Sequence, residues 1–138
     1  MRTLNYGAYL IQLTRLPRAF PVNFYLVRDS DGLTLVDTGI PGSAPGILAA
    51  AQACELPIRR IVLTHAHGDH LGSVDALRAA LPEAEFIVSA RDARFLAGDM
   101  RVDADEPQSK LRGAYQTIAS KPTRLVHDGD YIGAVRVI

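Results

Sequence analysis

Between positions 64 and 70 the chain reads Thr-His-Ala-His-Gly-Asp-His, and three of its four histidines fall there. Imidazole nitrogen and carboxylate oxygen are donors that suit zinc, and also iron, manganese or cobalt. If the backbone is still extended at 65–67, side chains two positions apart share a side, so His65 and His67 point together. Gly68 lets the chain turn sharply without a Cβ in the way. Asp69 and His70 then occupy the first turn of a following helix and aim back toward the same space. Three imidazoles packed together with no metal would repel one another as they protonate. The spacing therefore predicts a metal site built from His65, His67, Asp69 and His70. His127 stands alone before Asp128-Gly129 and reads as structural. Cys54, inside the apolar run at 47–56, reads as a buried, inert thiol.

The elements that must position this cluster can be read on either side of it. Residues 6–16 and 22–29 are rich in β-branched and aromatic side chains, and Ser30-Asp31-Gly32 is a turn signal. Residues 33–39, Leu-Thr-Leu-Val-Asp-Thr-Gly, form a short apolar strand that stops at Gly39. Pro41-Gly42 breaks the chain, and Ser43 is placed to cap a helix running to about Glu55. Residues 58–65 read as a strand that delivers the cluster. Leu71, Val74, Leu77, Ala80 and Leu81 mark one face of a helix over 71–82. A strand over 84–90 and a short helix over 91–98 follow, then a polar surface loop over 99–109. Residues 110–120 could be helical, although Gly113 disfavours it, and the tail reads as a hairpin turning at Asp128-Gly129. Strands alternating with helices predict an α/β layer structure. In such sheets ligands bind beyond the carboxyl ends of strands, where the cluster lies.

At 138 residues the chain can bury the core of one domain, spanning 1–138. Fifteen basic residues balance fifteen acidic ones without a basic run, which argues against a nucleic-acid groove. No apolar stretch approaches the roughly 20 residues needed to cross a bilayer. The first residues lack the apolar block of a secretory signal. One cysteine cannot form an internal disulfide, so the expected compartment is the cytoplasm.

The segment 64–70 resembles the H-x-H-x-D-H motif of the metallo-β-lactamase-fold hydrolases. Residues 24–41, which end in Asp37-Thr38-Gly39-Ile40-Pro41, resemble the strand–turn–strand that precedes that motif. The spacing between the two blocks is also similar, and the likeness runs along essentially the whole chain. It implies the first half of an αββα sandwich, with a mixed sheet and flanking helices, as a single incomplete domain. It also implies a two-metal centre holding zinc first of all, with manganese or iron as alternatives. His65 and His67 would hold one metal, and Asp69 and His70 the other. Asp69 would also take or relay a proton as the catalytic residue. Asp37 would stand behind the metal centre rather than bind it, and Thr38 and Gly39 would shape the turn. Such centres use a shared hydroxide as nucleophile, since a metal lowers the pKa of water from about 15.7 to about 7.

The family's later ligands are a histidine in a Pro-Gly-His-Thr-like segment, a bridging aspartate and a final histidine. None has a counterpart here, and residues 133–138 resemble the strand just before that segment. The expectation is thus the front part of a hydrolase with two protein ligands per metal. Its sheet would show an apolar face to be covered by a second copy, as a homo-oligomer, or by a complementing C-terminal fragment. The implied reaction is hydrolysis of a small-molecule ester, lactone or thioester. The competing expectation is an inactive fragment kept as a folded interaction module, and a third is an iron-using oxygenase or redox member.

Overall fold

A computed structural model describes the whole chain, residues 1–138. Short connections put the first four strands into an antiparallel meander, with period-two burial clear in the middle pair: β1 (Arg2–Tyr6), β2 (Leu10–Arg15), β3 (Val22–Asp29) and β4 (Gly32–Val36). The single strand expected over 6–16 is interrupted. Gly7 adopts a φ of 61° and opens a turn, so Tyr6 pairs back onto Leu10. The expected turn at 30–32 joins β3 to β4.

From β4 onward the sheet becomes parallel, through β5 (Ile58–Val62), β6 (Glu85–Ser89) and β7 (Arg124–Val126). Parallel neighbours need long crossovers. These contain α1 (Ala44–Ala53), the pair α2 (Gly68–Leu71) and α3 (Val74–Ala80), and α4 (Ala90–Leu96). The result is a mixed seven-stranded sheet in sequential order, with flanking helices. This is the α/β half-sandwich that the sequence implied.

The two faces of the sheet are covered differently. On the helix side Phe24, Leu26, Leu35, Ile61 and Phe86 pack with Ile47, Leu71, Leu77 and Phe95 in one core of 22 buried residues. Each large apolar side chain enclosed there stabilises the fold by about 1.5–3 kcal/mol. On the opposite side Val62, Ile87 and Val126 meet Ile132 in a cluster of four. Ile132 belongs to a small hairpin of β8 (Tyr131–Ile132) and β9 (Val135–Arg136). Its tip is fastened by the Ala134 N–H, which donates to Asp29 Oδ2 at 2.8 Å. The rest of that face, expected to be apolar, carries Leu10, Tyr25, Val27 and Val36 and, at one end, a polar array. Gln12 Nε2 and Thr14 Oγ1 both donate to Asn23 Oδ1, at 2.9 and 2.8 Å.

Four local expectations change. The helix read over 71–82 is divided, because Gly72 N–H donates to Gly39 O at 2.8 Å and Ser73 N–H to Thr38 Oγ1 at 3.2 Å. Those amides serve the Asp-Thr-Gly turn instead of a helix, and Ala80 is left exposed. Ser43 stands at the start of α1 but does not cap it with its side chain. Pro at the helix start offers no N–H, and the hydroxyl donates to Ile40 O at 2.8 Å. Residues 110–120 form no helix. The tail hairpin turns at Gly133-Ala134, while Asp128-Gly129 links β7, paired in parallel with β6, to β8. Cys54 is half-buried and packs against the main core. No helix is long and apolar enough to cross a membrane.

Candidate metal centre

The chain leaves β5 at Val62, and residues 63–70 carry the cluster. Ala66, between His65 and His67, is fully buried, and its N–H donates to Asp92 Oδ1 at 3.0 Å. Asp92 sits in the first turn of α4, where its other oxygen accepts from Ser89 Oγ at 2.7 Å. The backbone linking the two histidines is therefore pinned from a neighbouring helix. His67 is extended, with φ −83° and ψ 150°, and Gly68 then opens α2 with Asp69 and His70 in its first turn.

Behind the cluster lies Asp37, 4% exposed and just past the end of β4. Its φ of 62° is left-handed, a conformation that costs a non-glycine residue about 1–2 kcal/mol. The strain places its carboxylate under three donors. Thr64 N–H reaches Oδ1 at 2.8 Å, Thr64 Oγ1 lies 2.8 Å from Oδ2, and His70 Nδ1 lies 2.8 Å from Oδ2. Thr38 binds the same turn from its other side, with its N–H and Oγ1 donating to His70 O at 2.7 and 2.9 Å.

These partners fix where each imidazole carries its proton. Thr64 commits its hydroxyl proton to the Asp37 carboxylate, so toward His65 Nδ1, 3.0 Å away, its oxygen accepts. His65 is then protonated at Nδ1 and keeps a lone pair on Nε2. His67 Nε2 donates to the Arg112 carbonyl at 3.2 Å, which leaves a lone pair on Nδ1. His70 donates through Nδ1 to Asp37, and its Nε2 is 3.6 Å from Asp69 Oδ2. His65 Nε2 and His67 Nδ1 are 3.1 Å apart. Two lone pairs held that close repel unless a proton or a cation lies between them.

The electrostatics sort the rings. Burial pushes His65 below the ordinary imidazole value, helped by the nearby His70 and His67. The hydrogen bond to Asp37 pushes His70 above it, with Asp69 adding to the effect. His65 is thus kept neutral, the form in which imidazole binds a metal.

The structure brings His65, His67, Asp69 and His70 together, with His70 centred 4.0 Å from His65 and His67 4.6 Å from it. Asp37 holds His70 from behind, and Gly39 accepts from Gly72. No three His, Cys, Asp or Glu side chains surround one point that could hold a metal ion. The donors come in pairs, His65 with His67 and Asp69 with His70. His127 is exposed beside Asp130 at 3.8 Å.

Three contributors escaped the sequence reading. Thr64 was visible but read only as a strand end. Asp92 carries a signal, because Ser89 and Asp92 match the S-x-x-D signature of a helix start. Arg112 acts through its carbonyl, which no side-chain pattern reveals.

The profile of the metallo-β-lactamase superfamily matches residues 17–137. The Bacillus subtilis (strain 168) protein YobT, of uncharacterised function, is 43% identical over 128 residues, which cover 92% of this chain and 55% of YobT. A hydroxyacylglutathione hydrolase of Albidiferax ferrireducens is 36% identical over 107 residues, 77% of this chain and 36% of that enzyme. Among solved structures, a class B3 di-zinc metallo-β-lactamase from an Alaskan soil metagenome superposes with a TM-score of 0.68 at 22% identity. That match covers 97% of this chain and 49% of the other. The chain therefore spans about half, or less, of the relatives it matches. Fold, motif and profile agree over nearly its full length, and the chain belongs to the metallo-β-lactamase superfamily.

Proposed function

We propose that this chain supplies the front part of the metal centre of a hydrolase acting on a small-molecule ester, lactone or thioester. The carrying observation is the 3.1 Å approach of His65 Nε2 to His67 Nδ1, with the other nitrogen of each ring turned to Thr64 or to the Arg112 carbonyl. That donor set fits a divalent cation, zinc first and manganese or iron(II) after it. His65 and His67 would hold one ion, and Asp69 and His70 a second. When bound, such ions supply an acidified water and a polarised carbonyl.

The protein's own residues do the rest. Asp37 keeps the His70 ring turned so that Nε2 faces Asp69. The Asp69 carboxylate, 38% exposed, is open enough to take a proton from the attacking water and pass it on. A hollow of about 450 Å³ lined by Phe95, Met100, Leu111 and Tyr115 gives an apolar part of a small substrate room near His67. Hydroxyacylglutathione hydrolases, which cleave thioesters, recur among the relatives and support an acyl substrate. The di-zinc neighbour supports zinc. Balanced charge is in keeping with a small-molecule substrate rather than nucleic acid, and a single cysteine with a cytoplasmic setting.

Catalytic zinc sites hold three protein ligands. Two donors per ion from this chain would be completed by a second copy or by a complementing C-terminal segment. The test is zinc loading followed by metal analysis and assay with S-lactoylglutathione and a simple lactone. Zinc uptake by the chain is expected, with turnover of either substrate once a second copy or the complementing segment supplies the third ligands. A folded chain that takes up no zinc or manganese would overturn the proposal. It would favour a second reading, a folded interaction module, to which the lack of any three-donor cage already points.

A further inference from the structure

We propose that the segment 112–116 is a positioning device for His67, and that Gly113 is the residue on which it depends. This deepens the reading of the metal centre and rests on it only for the metal arm of the test below.

The segment crosses the His67 ring as irregular, largely exposed chain, yet it touches that residue in several ways. Backbone pairing joins His67 to Tyr115 in an isolated antiparallel bridge. Next to it the Gly68 N–H donates to Ala114 O at 2.9 Å. The Arg112 carbonyl receives the His67 Nε2 proton at 3.2 Å. The Tyr115 ring meets the imidazole edge-on, with centres 4.5 Å apart at 79°. Tyr115 is itself braced on the buried Phe95, 5.2 Å away.

Gly113 makes this arrangement possible. A Cβ there would collide with the His67 ring at Nε2, Cε1 and Cδ2. Its φ of +116° is also a conformation that side-chain-bearing residues rarely adopt. The segment can lie flat on the imidazole only because position 113 has no side chain. The consequence for chemistry is direct. A carbonyl accepts and cannot donate, so contact with Arg112 O keeps the proton on Nε2 and the lone pair on Nδ1, facing His65.

The experiment uses the whole chain and three variants: Gly113→Ala, Tyr115→Ala and Tyr115→Phe. Long-range proton–nitrogen NMR of the metal-free proteins at about pH 8.5, above the ordinary imidazole value, reads the His67 tautomer without any metal. The wild type and Tyr115→Phe should show His67 protonated at Nε2. Gly113→Ala should shift to a mixture or to the Nδ1-protonated form, and Tyr115→Ala should move the same way to a smaller extent. Titration with Zn²⁺ alone should show affinity reduced by about 10–100-fold in Gly113→Ala and retained in Tyr115→Phe.

A thermal melt confirms that each variant is folded, and Tyr115→Ala decides the matter should Gly113→Ala fail to fold. A folded Gly113→Ala, or in its place a folded Tyr115→Ala, with the wild-type tautomer would overturn the proposal. Absence of zinc binding in the wild type would count against the hydrolase reading, while the tautomer comparison still decides the role of the segment.

Discussion

The two donor pairs are built by different means. His70 is held by side chains that the sequence displays as a motif. Asp37 takes its Nδ1 proton, while Thr38 takes its carbonyl through both N–H and hydroxyl. His67 is held by a distant backbone, through the Arg112 carbonyl and the Tyr115 bridge. One half of the centre is thus anchored on the buried Asp37 and Thr38 by a dense set of hydrogen bonds, and the other leans on an exposed strap. The contrast predicts that damage near Asp37 harms both stability and metal binding, whereas damage near the strap harms metal binding alone.

The sharpest way to break this contrast is Asp37→Ala. It removes the acceptor of the Thr64 N–H and hydroxyl and of the His70 Nδ1–H, which are partly buried, at a cost of up to about 1–3 kcal/mol for each unsatisfied group. Alanine keeps its Cβ at the same left-handed φ, so no strain is relieved, but water reaching Thr64 and His70 offsets part of the loss. A net loss of about 2–3 kcal/mol in denaturant titration is expected, together with zinc affinity lowered by about 10–100-fold. His67→Ala is the complement. Zinc binding at the His65 side should fall below detection by calorimetry, while the melting temperature stays within a few degrees, because the ring lies outside the main core.

Asp92→Ala tests the brace between the two histidines. Loss of one charged acceptor for Ala66 N–H should cost about 1.5–3 kcal/mol. Zinc affinity should fall, but by less than in His67→Ala, since both rings remain. Equal affinities in wild type and Asp92→Ala would show that Asp92 serves only Ser89, the cap of α4.

The smallest effects concern pH. In the metal-free protein His70 should titrate above the ordinary imidazole value of about 6.5 and His65 below it, as read by NMR. For His70 the folded value is raised. The pairing with Asp37 therefore contributes stability that is fully present below about pH 6.5 and lost as pH rises through the raised value. For His65 the folded value is lowered, so folding favours the neutral ring, and that contribution fades as pH falls through 6.5 toward the lowered value. Titration in the reverse order would remove the electrostatic half of the comparison.

Legibility followed the same division. The alternating strands, the parallel crossovers and the cluster at the end of β5 were readable because period-two patterning and histidine spacing are properties of consecutive residues. Asp37 was readable only through the resemblance of its Asp-Thr-Gly block to that of the metallo-β-lactamase-fold hydrolases. The break between α2 and α3 was not, because Gly72 and Ser73 direct their amides to residues more than thirty positions earlier. The placement of 110–120 was hidden for a related reason. What fixes it is contact with His67 and Phe95, and its own residues carry no strong period. The polar patch on the open sheet face was hidden because Gln12, Thr14 and Asn23 are scattered in sequence and satisfy one another only once β2 and β3 pair.

The central claim is that His65 Nε2 and His67 Nδ1 face each other because a cation belongs between them. The direct measurement is anomalous diffraction at the zinc edge from crystals of this chain soaked in zinc. A peak within about 2.0–2.1 Å of both of those nitrogens is the predicted result. A peak on other atoms, or rings that part with no metal between them, would contradict the account.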